Sequence, residues 1–301
     1  MHLKMKKTYL CCIILLMKTL LITGASAGIG KKTAELFLKK DWKVYAAARR
    51  TEKMQDLKAK GASIIHLDLT DDNSIKKAID IACGEGKQLD ALVNNAGFGA
   101  HGMLEDVPIE LARKQFEVNV FGLARMCQLA LPNMRKAGSG RIINMSSIAG
   151  KTYMPTGSWY HASKHAVEAI SDCLRIEAAQ FGIKVIMIEP GPVGGTEWDD
   201  TALVNLKKYS WNSAYAAMTR RLVNKFRGNY REKGLKPETI AAVIYKAATT
   251  ARPSARYAVP FKTKACLIAL RFLPDTLLDF TYKLLFEPSA NEIEEAEKSQ
   301  D

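Results

Sequence analysis

The stretch TLLITGASAGIG, Thr19 to Gly30, decides the fold of this chain. A short apolar run of strand length is followed by three glycines with the spacing G-x3-G-x-G. Gly24 suits a tight turn, Gly28 suits a close approach of backbone to a phosphate, and Gly30 lets the next helix pack closely on the strand. The N-terminus of that helix then directs free N–H groups toward a diphosphate. The pattern predicts a nucleotide-binding unit, and an ordinary glycine-rich turn is the alternative.

Apolar runs of strand length alternate with longer amphipathic segments along most of the 301 residues. This alternation predicts βαβ units, in which crossover helices join parallel strands. We therefore expect an α/β fold with a doubly wound, seven-stranded parallel sheet in a single domain. The predicted strands are Thr19–Thr23, Lys43–Ala47, Ser63–Leu67, Ala91–Asn94, Arg141–Met145, Lys184–Glu189 and Arg256–Val259. The predicted helices are Gly30–Lys40, Ser74–Ala82, Ile109–Lys136, Ser158–Phe181 and Pro237–Thr250.

The net charge of +13 is concentrated in two segments. Residues 205–236 hold nine Lys and Arg against one Glu, and residues 1–18 hold four Lys. Such local patches favour an anionic ligand or a membrane surface over a nucleic-acid-binding face, and a solvated basic face is an equal alternative. The six cysteines have no CxxC spacing, so the sequence predicts neither a metal site nor a disulfide framework. This usage fits a reducing compartment, and we expect a cytoplasmic protein with peripheral membrane contact left open.

The second predicted strand ends in VYAAARR, Val44 to Arg50. A site for NAD usually has an acidic residue here, which binds the ribose 2′-hydroxyl. In this chain Ala48 is followed by Arg49 and Arg50, whose guanidinium groups suit a 2′-phosphate. The sequence therefore predicts NADP(H) in preference to NAD(H), with two solvent-exposed arginines as the alternative.

A tyrosine and a lysine lie one helical turn apart in SWYHASKHA, Ser158 to Ala166. If this segment is helical, the ammonium of Lys164 lies close to the ring of Tyr160. A nearby positive charge favours phenolate and lowers a tyrosine pKa that is ordinarily about 10. The pair is therefore a predicted proton donor and acceptor near neutral pH, and a packed ring beside a solvated amine is the alternative.

Three motifs in this order resemble those of the short-chain dehydrogenase/reductase family. TGASAGIG is similar to the family's TGxxxGxG loop, NNAG at Asn94 to Gly97 to its fourth-strand motif, and the Tyr160 and Lys164 pair to its YxxxK motif. The resemblance covers about Lys18 to Val259 and is strongest toward the steroid- and retinoid-type single-domain members. It implies a Rossmann-like domain, hydride transfer, and a catalytic set of Asn119, Ser147, Tyr160 and Lys164. Ser147 is chosen over Ser146 because it lies thirteen residues before Tyr160, as in the family.

The resemblance also implies a role for each catalytic residue. Ser147 and Tyr160 hydrogen-bond the substrate carbonyl, and Tyr160 gives its proton to the alkoxide as hydride reaches the carbon. Lys164 lowers the tyrosine pKa and binds the nicotinamide ribose, while Asn119 holds a helix distortion and a water. In EPGPVGGTEW, Glu189 to Trp198, the threonine lies one residue further from the valine than is usual. The implied cofactor contacts are Gly24, Ser26, Gly28, Ile29, Gly30, Arg49, Arg50, Asp68, Leu69, Asn95, Ala96, Gly97, Tyr160, Lys164, Pro190, Val193 and Thr196.

The predicted domain organisation places one large unit between two extensions. Residues 1–16 precede it, and for them an upstream mis-assigned start codon and a weak membrane anchor both remain open. Residues 17–260 form the Rossmann-like dinucleotide-binding and catalytic domain, with a substrate lid at 196–236. Residues 261–286 form apolar C-terminal helices, for which a lid flange, a dimer contact and an interfacial helix are all open. The acidic tail, residues 287–301, is expected to be disordered.

These inferences together predict an NADP(H)-dependent oxidoreductase acting on a hydrophobic ketone or secondary alcohol of steroid-, retinoid- or lipid-like kind. A 3-oxoacyl thioester reductase is an alternative, and a non-catalytic NADPH-binding regulator is an alternative of another class. The resemblance implies a homo-oligomer, with the helices Ile109–Lys136 and Ser158–Phe181 at its interface. His101 and His161 are taken as structural. The lid's large side chains suit either a bulky substrate or packing within the lid itself, and they are Trp198, Tyr209, Trp211, Tyr215, Met218, Phe226 and Tyr230.

Overall fold

The computed structural model of the protein describes residues 17–84, 86–194, 197–270 and 272–298, and it describes only the backbone of residues 197–200, 225–233 and 266. The predicted extension at residues 1–16 and the predicted cofactor contact Thr196 therefore lie outside the described residues.

Seven parallel strands form one sheet in the order β3-β2-β1-β4-β5-β6-β7, which confirms the predicted doubly wound fold. Each predicted strand is present to within one residue at either end. Because β1 pairs with β2 on one side and with β4 on the other, the winding reverses between β1 and β4. Ligands of such sheets bind at the carboxyl ends of the strands beside this switch point. The strands are β1 (Thr19–Thr23), β2 (Lys43–Ala48), β3 (Ser63–His66), β4 (Ala91–Asn94), β5 (Gly140–Met145), β6 (Ile183–Pro190) and β7 (Arg256–Val259).

Helices connect the strands and cover both faces of the sheet. The predicted long helix Ile109–Lys136 is present, but the six residues Glu117–Gly122 in its middle adopt a π-helix. Short 3-10 turns occur at Thr51–Met54 and Ile148–Gly150. The α-helices are α1 (Gly28–Leu38), α2 (Gln55–Ala59), α3 (Asp72–Cys83), α4 (Ile109–Phe116), α5 (Leu123–Lys136), α6 (Ser158–Ala179), α7 (Glu197–Ser210), α8 (Ala216–Lys233), α9 (Pro237–Thr249), α10 (Phe261–Leu270), α11 (Asp275–Phe286) and α12 (Ala290–Lys298).

The core lies in two layers, one on each face of the sheet. Successive strand residues point to opposite faces, so Leu20 packs with Phe37 of α1 and Ile240 of α9, whereas Leu21 packs with Met126 of α5. All five side chains are fully buried. Burial of each contributes about 1.5–3 kcal/mol, so the two layers hold the strand ends in fixed positions around the switch point.

The lid and the C-terminal region are helical. Residues 197–233 form α7 and α8, and residues 261–298 form α10, α11 and α12 apart from short connections. In the part of the chain that the structure describes, no helix combines the length and apolar character needed to cross a membrane.

The expected disorder of the acidic tail is wrong for Ala290–Lys298, which form α12. Glu292 accepts hydrogen bonds from the backbone N–H and the hydroxyl of Ser289, at 2.8 and 2.9 Å, which stabilise the start of the helix. Both oxygens of Glu292 also bind Nη1 of Arg221, at 3.0 and 2.7 Å. This arginine on α8 offsets part of the tail's negative charge, and Ala296 is buried.

Candidate active site

The loop between β1 and α1 brings two backbone segments into close contact. Gly24 and Gly28 have φ angles of 69° and 50°, a left-handed conformation that favours glycine. A Cβ on Gly30 would lie 2.2 Å from the carbonyl oxygen of Gly24 and 2.5 Å from Nδ2 of Asn95. The residue before α1, Ala27, offers no side chain to cap the helix. The first-turn N–H groups are therefore available to an anionic ligand.

Two polar residues hold this loop against β4. The hydroxyl of Thr23 accepts hydrogen bonds from the backbone N–H groups of Asn95 and Ala96, at 3.1 and 3.0 Å. Nδ2 of Asn95 donates to the carbonyls of Thr23 and Gly24, at 3.0 and 3.3 Å. Asn95 lies at the predicted cofactor site, and these contacts show that its amide positions the glycine loop.

A cleft of about 630 Å³ opens at the carboxyl ends of β1, β2, β4, β5 and β6. This volume lies within the range of about 300–1,000 Å³ typical of small-molecule sites. Two predicted site residues, Gly30 and Asn119, do not line the cleft. They contact residues that do, Gly24 and Phe98 respectively. The predicted residues that line it are Gly24, Ser26, Gly28, Ile29, Arg49, Arg50, Asp68, Leu69, Asn95, Ala96, Gly97, Ser147, Tyr160, Lys164, Pro190 and Val193.

One end of the cleft carries the two arginines that follow β2. Nη2 of Arg50 donates to the hydroxyl of Ser26 in the glycine loop, at 3.3 Å. Asp68 also lines the cleft, and its Oδ1 accepts hydrogen bonds from the N–H and hydroxyl of Thr70, at 3.0 and 2.9 Å. Burial opposes the charged form of Asp68, but the Thr70 hydrogen bonds and the charge of Arg49 hold the pKa of Asp68 below its usual value.

The predicted tyrosine and lysine meet on α6 as the spacing requires. Nζ of Lys164 lies 5.8 Å from the centroid of the Tyr160 ring. The same Nζ donates a hydrogen bond of 2.7 Å to the carbonyl of Met145, the last residue of β5. Only 6% of Lys164 is exposed. Burial lowers the pKa of Lys164 to about 8, although the nearby carboxylate of Glu168 acts in the opposite direction.

Asn119 lies in the π-helical segment, so the helix distortion implied by the family resemblance is present. Its Nδ2 donates to the carbonyl of Phe98 and to the hydroxyl of Ser163, at 2.9 and 3.2 Å, and its Oδ1 accepts from the N–H of Phe98, at 3.1 Å. A Cβ on Gly97 would lie 3.0 Å from this Oδ1 and 3.9 Å from Nζ of Lys164. Asn119 thus ties the loop after β4 to α6, beside the lysine.

The two adjacent serines after β5 have different environments. Ser147 begins the 3-10 turn Ile148–Gly150, and its hydroxyl accepts from the N–H of Ala149, at 3.1 Å. This hydroxyl also lies 3.5 Å from the carbonyl of Pro190, a long contact. Ser146 is only 4% exposed, although it too lines the cleft. The more accessible hydroxyl is that of Ser147.

The remaining wall comes from the segment after β6 and from α7. Val193 forms an isolated bridge with Leu235, which anchors this segment beyond the lid. Thr201 and Asn205 of α7 line the cleft, and Nδ2 of Asn205 donates to the carbonyl of Gly99, at 3.3 Å. Among the lid's large side chains that the structure describes, none lines the cleft; these are Tyr209, Trp211, Tyr215 and Met218. They pack within the lid or against its surroundings.

The geometry agrees with the comparison to known proteins. The family model described as short chain dehydrogenase matches residues 18–205, which hold the glycine loop, Asn119, Ser147, Tyr160 and Lys164. This chain belongs to the short-chain dehydrogenase family. It is therefore an oxidoreductase of a family that acts on CH–OH groups and the corresponding carbonyls.

Relatives of this short-chain dehydrogenase match it over most of their length. A probable short-chain type dehydrogenase/reductase, VdlC, of Helicobacter pylori strain J99 is 36% identical, covering 88% of this chain and 96% of the relative. An NADPH-dependent 3-dehydrocapnine reductase of Ornithobacterium rhinotracheale is 34% identical, covering 87% and 95%. A 3-ketodihydrosphingosine reductase of Bacteroides thetaiotaomicron is 33% identical, covering 89% and 97%.

Solved structures show the same fold. A short-chain dehydrogenase from Streptomyces avermitilis superposes with a TM-score of 0.72 at 32% identity, covering 95% of this chain and 99% of that one. A serine dehydrogenase in a closed form, complexed with NADP⁺, gives a TM-score of 0.69 at 28% identity, covering 80% and 94%.

The residues of this short-chain dehydrogenase fit a dinucleotide. Gly24 and Gly30 leave no room for side chains between β1 and α1, and the cleft is lined there by the loop residues Gly24, Ser26, Ala27, Gly28 and Ile29. The uncapped first turn of α1 offers donors for a diphosphate. Arg49 and Arg50 add positive charge at one end, and Lys164 adds it near the other. Gly24, Ser26, Gly28, Ile29 and the two arginines would hold the adenosine half and the phosphates.

His101 lines the cleft but was taken as structural from the sequence. Its ring centroid lies 5.7 Å from that of Tyr160, and burial lowers the pKa of His101 to about 4. The imidazole is therefore neutral near neutral pH. His161 also borders the cleft, but its Nδ1 lies 3.0 and 2.5 Å from the carbonyls of Ala149 and Thr152, which is a structural role. The sequence pointed to a place for His101 at the cleft only through its position, seven residues after the end of the fourth strand.

A buried charged cluster near Lys164 was also not predicted from the sequence. Glu168, one turn after Lys164 on α6, lies 2.9 Å from Nζ of Lys151 and 3.0 Å from Nε of Arg256. Glu189, the penultimate residue of β6, lies 3.2 Å from the same Nε. Each of the two glutamates is 4% exposed. Burial, together with the charge of Glu168, raises the pKa of Glu189 to about 7.

Proposed function

We propose that this short-chain dehydrogenase uses NADP(H) to interconvert a hydrophobic ketone and its secondary alcohol, with Tyr160 as the proton donor in reduction and the acceptor in oxidation. One observation carries the proposal. The ammonium of Lys164 lies 5.8 Å from the centroid of the Tyr160 ring, and both residues line one cleft with Ser147 and the glycine loop.

The chain's own residues supply the proton chemistry. In reduction, the hydroxyls of Ser147 and Tyr160 donate hydrogen bonds to the ketone oxygen and orient it. Tyr160 then releases its proton to that oxygen, and the ammonium of Lys164 favours the phenolate that remains. A bound nicotinamide supplies the hydride in reduction and accepts it in oxidation. Asn119 keeps Lys164 in place indirectly, because it fixes the loop at Phe98 and the hydroxyl of Ser163.

The two arginines after β2 support NADP(H) over NAD(H). Guanidinium groups bind a phosphate by charge-assisted hydrogen bonds, whereas the ribose 2′-hydroxyl of NAD is usually bound by a carboxylate. In this chain Ala48 holds the position before Arg49 and Arg50, which line the cleft. The relative from Ornithobacterium rhinotracheale is named NADPH-dependent, and the serine dehydrogenase structure is a complex with NADP⁺.

The substrate class we favour is a long-chain lipid ketone. Phe98, Leu111, Val118, Ile148 and Met154 give the cleft an apolar lining. Two of the relatives are named a 3-ketodihydrosphingosine reductase and a 3-dehydrocapnine reductase. Steroids and retinoids are the competing hydrophobic substrates. Turnover of 3-oxoacyl thioesters would instead indicate the alternative function, a 3-oxoacyl thioester reductase.

The expected homo-oligomer and cytoplasmic location stay predictions. An interface would lie on the helices α4, α5 and α6, and the molar mass in solution from light scattering tests it.

The test is the change in NADPH absorbance with a panel of ketones, from short 3-oxoacyl thioesters to steroids and long-chain 3-keto amines. We expect turnover with NADPH, highest for a long-chain ketone, and a loss of about 10²–10⁴-fold in Tyr160→Phe with NADPH binding retained. Tyr245→Phe is the matched control, because its ring packs on Phe37 of α1, outside the cleft. Tight NADPH binding without turnover of any ketone would instead favour the non-catalytic regulator.

A further inference from the structure

The helices α10 and α11 and the turn between them expose a set of large apolar side chains that nothing in the chain covers among the described residues. Phe261 is 80% exposed, Phe272 79%, Leu284 65% and Phe280 58%. Apolar side chains scattered singly on a surface are ordinary, but exposed apolar side chains concentrated in one segment, residues 261–284, point to an interaction site. We define the C-terminal apolar face as Phe261, Ala265, Ile268, Phe272, Leu277, Phe280 and Leu284.

On α10 this face is a stripe with a lysine on each side. Phe261, Ala265 and Ile268 have the spacing i, i+4, i+7, so they lie along one side of the helix. The exposed Lys262 and Lys264 flank this stripe, and Nζ of Lys264 lies 6.0 Å from the centroid of the Phe261 ring. An apolar stripe with flanking lysines is the composition of a helix that lies in a membrane interface.

On α11 the apolar and acidic residues lie on different sides. Leu277, Phe280 and Leu284 have the spacing i, i+3, i+7 and are 47%, 58% and 65% exposed. Tyr282 and Phe286 point inward, where the ring of Tyr282 lies 5.3 Å from that of Tyr153. Asp275 and Asp279 are exposed, and with Tyr282 and Phe286 they have the spacing i, i+4, i+7, i+11, so these two acids lie on the side of the helix away from Leu277, Phe280 and Leu284. The outward side of α11 is therefore apolar and free of acids.

We propose that the C-terminal apolar face docks on an anionic phospholipid surface. The phenylalanines would enter the boundary between headgroups and acyl chains, and Lys262 and Lys264 would lie against lipid phosphates. Contact with a second copy of the chain is less favourable, because a two-fold contact would pair this face with itself, and the face has no carboxylate to meet Lys262 and Lys264. Neither α10, with 10 residues, nor α11, with 12, is long enough to span a bilayer.

The C-terminal apolar face is next to the cleft. Met154 lines the cleft and packs against the cluster that contains Tyr282 and Phe286 of α11. The inner side of α11 therefore supports the cleft wall. Its outer side belongs to the C-terminal apolar face. Docking itself does not rest on the proposed function, whereas its use in taking up a lipid ketone does.

Vesicle sedimentation tests the docking without any activity measurement. Full-length wild type, Phe272→Glu/Phe280→Glu, Lys262→Gln/Lys264→Gln and the control Ile81→Glu are sedimented with vesicles of equal parts phosphatidylcholine and phosphatidylglycerol, and with phosphatidylcholine alone. Ile81 is a 39% exposed apolar residue on α3. All variants keep residues 1–16, whose basic and apolar sequence therefore contributes equally to each. Thermal unfolding and NADPH binding check that each variant is folded.

We expect wild type and Ile81→Glu to bind the anionic vesicles, with weaker binding at high salt. Phe272→Glu/Phe280→Glu should lower partitioning by about 100-fold or more, since two phenylalanines that would enter the membrane are lost. The lysine variant should lose about fivefold per charge on anionic vesicles and little on phosphatidylcholine. Binding of the phenylalanine variant at the wild-type level would overturn the proposal. A change in its oligomer mass with unchanged vesicle binding would assign the face to a second copy instead.

Activity separates docking from chemistry. Phe272→Glu/Phe280→Glu should reduce a short, water-soluble ketone at the wild-type rate and lose rate only on a ketone embedded in anionic vesicles. Equal loss on both ketones would show that the variant damages the cleft, and the docking interpretation would then be wrong.

Discussion

The ammonium of Lys164 donates a hydrogen bond of 2.7 Å to the backbone carbonyl of Met145, at the end of β5. This contact ties α6 to the sheet edge and points the ammonium at the cleft, 5.8 Å from the centroid of the Tyr160 ring. A buried ammonium with one neutral acceptor is poorly compensated for the loss of water. Its pKa therefore falls to about 8, close to physiological pH.

The first prediction concerns pH and Lys164. Because the lysine charge is lost as pH rises through about 8, Tyr160 becomes a weaker proton donor, and kcat/KM for ketone reduction should decrease above that pH. Glu168→Gln removes the carboxylate that raises the Lys164 pKa, so the alkaline limb should move to lower pH. Rate profiles from pH 6 to 10 measure this, with the exposed Glu177→Gln of the same helix as the control. Coincident profiles for wild type and Glu168→Gln would contradict the expectation.

The second prediction concerns cofactor preference. Arg49→Ser and Arg50→Ser each remove a guanidinium from the end of the cleft, so kcat/KM for NADPH should fall by roughly 10–100-fold while that for NADH changes little. Steady-state kinetics with both cofactors provide the measurement, and Lys40→Ser, an exposed residue beyond the end of α1, is the control. An equal loss with NADPH and NADH would show that the arginines do not bind the 2′-phosphate.

The third prediction concerns the close contact of α1 with the glycine loop. In Gly30→Ala the new methyl group would lie 2.2 Å from the carbonyl oxygen of Gly24, so the loop must shift. Overpacking of this kind costs about 1–3 kcal/mol of unfolding free energy, and NADPH binding should weaken further because the phosphate donors move. Urea unfolding and fluorescence titration with NADPH test both parts. Lys39→Ala, at the end of the same helix, should change neither by much; unaltered NADPH affinity in Gly30→Ala would disprove the role of the loop.

The fourth prediction concerns stability and the buried pair Glu168 and Glu189. The pKa of Glu189 is about 7 in the folded protein and near 4.5 for an ordinary carboxyl, so the folded state holds more protons between these values. The contribution of Glu189 to stability should therefore be fully present below pH 4.5 and be lost as pH rises through 7, by on the order of 1–3 kcal/mol. Glu189→Gln should flatten the difference in unfolding free energy between pH 5 and pH 8. Glu110→Gln, on the surface, should keep the wild-type difference; the same difference in Glu189→Gln would refute the prediction.

The sequence by itself determined the parts of this protein that depend on neighbours along the chain. Strand runs and helical periodicity are local, so the seven strands were predicted to within one residue. The glycine loop follows from three residues whose φ angles and close contacts exclude side chains. Tyr160 and Lys164 meet because residues four apart on a helix are neighbours wherever that helix lies.

Only the tertiary structure decided which distant residues meet. His101 lies beside Tyr160 because the loop after β4 and the start of α6 converge at the same sheet edge. Arg256 meets Glu168 and Glu189 across β6 and β7, and Arg221 offsets the charge of Glu292, which turns an expected disordered tail into a helix. The lid's described aromatic residues pack away from the cleft, although their composition suited a substrate wall. These contacts depend on how the crossovers stack and which charges are desolvated together, and neither property has a local pattern in the sequence.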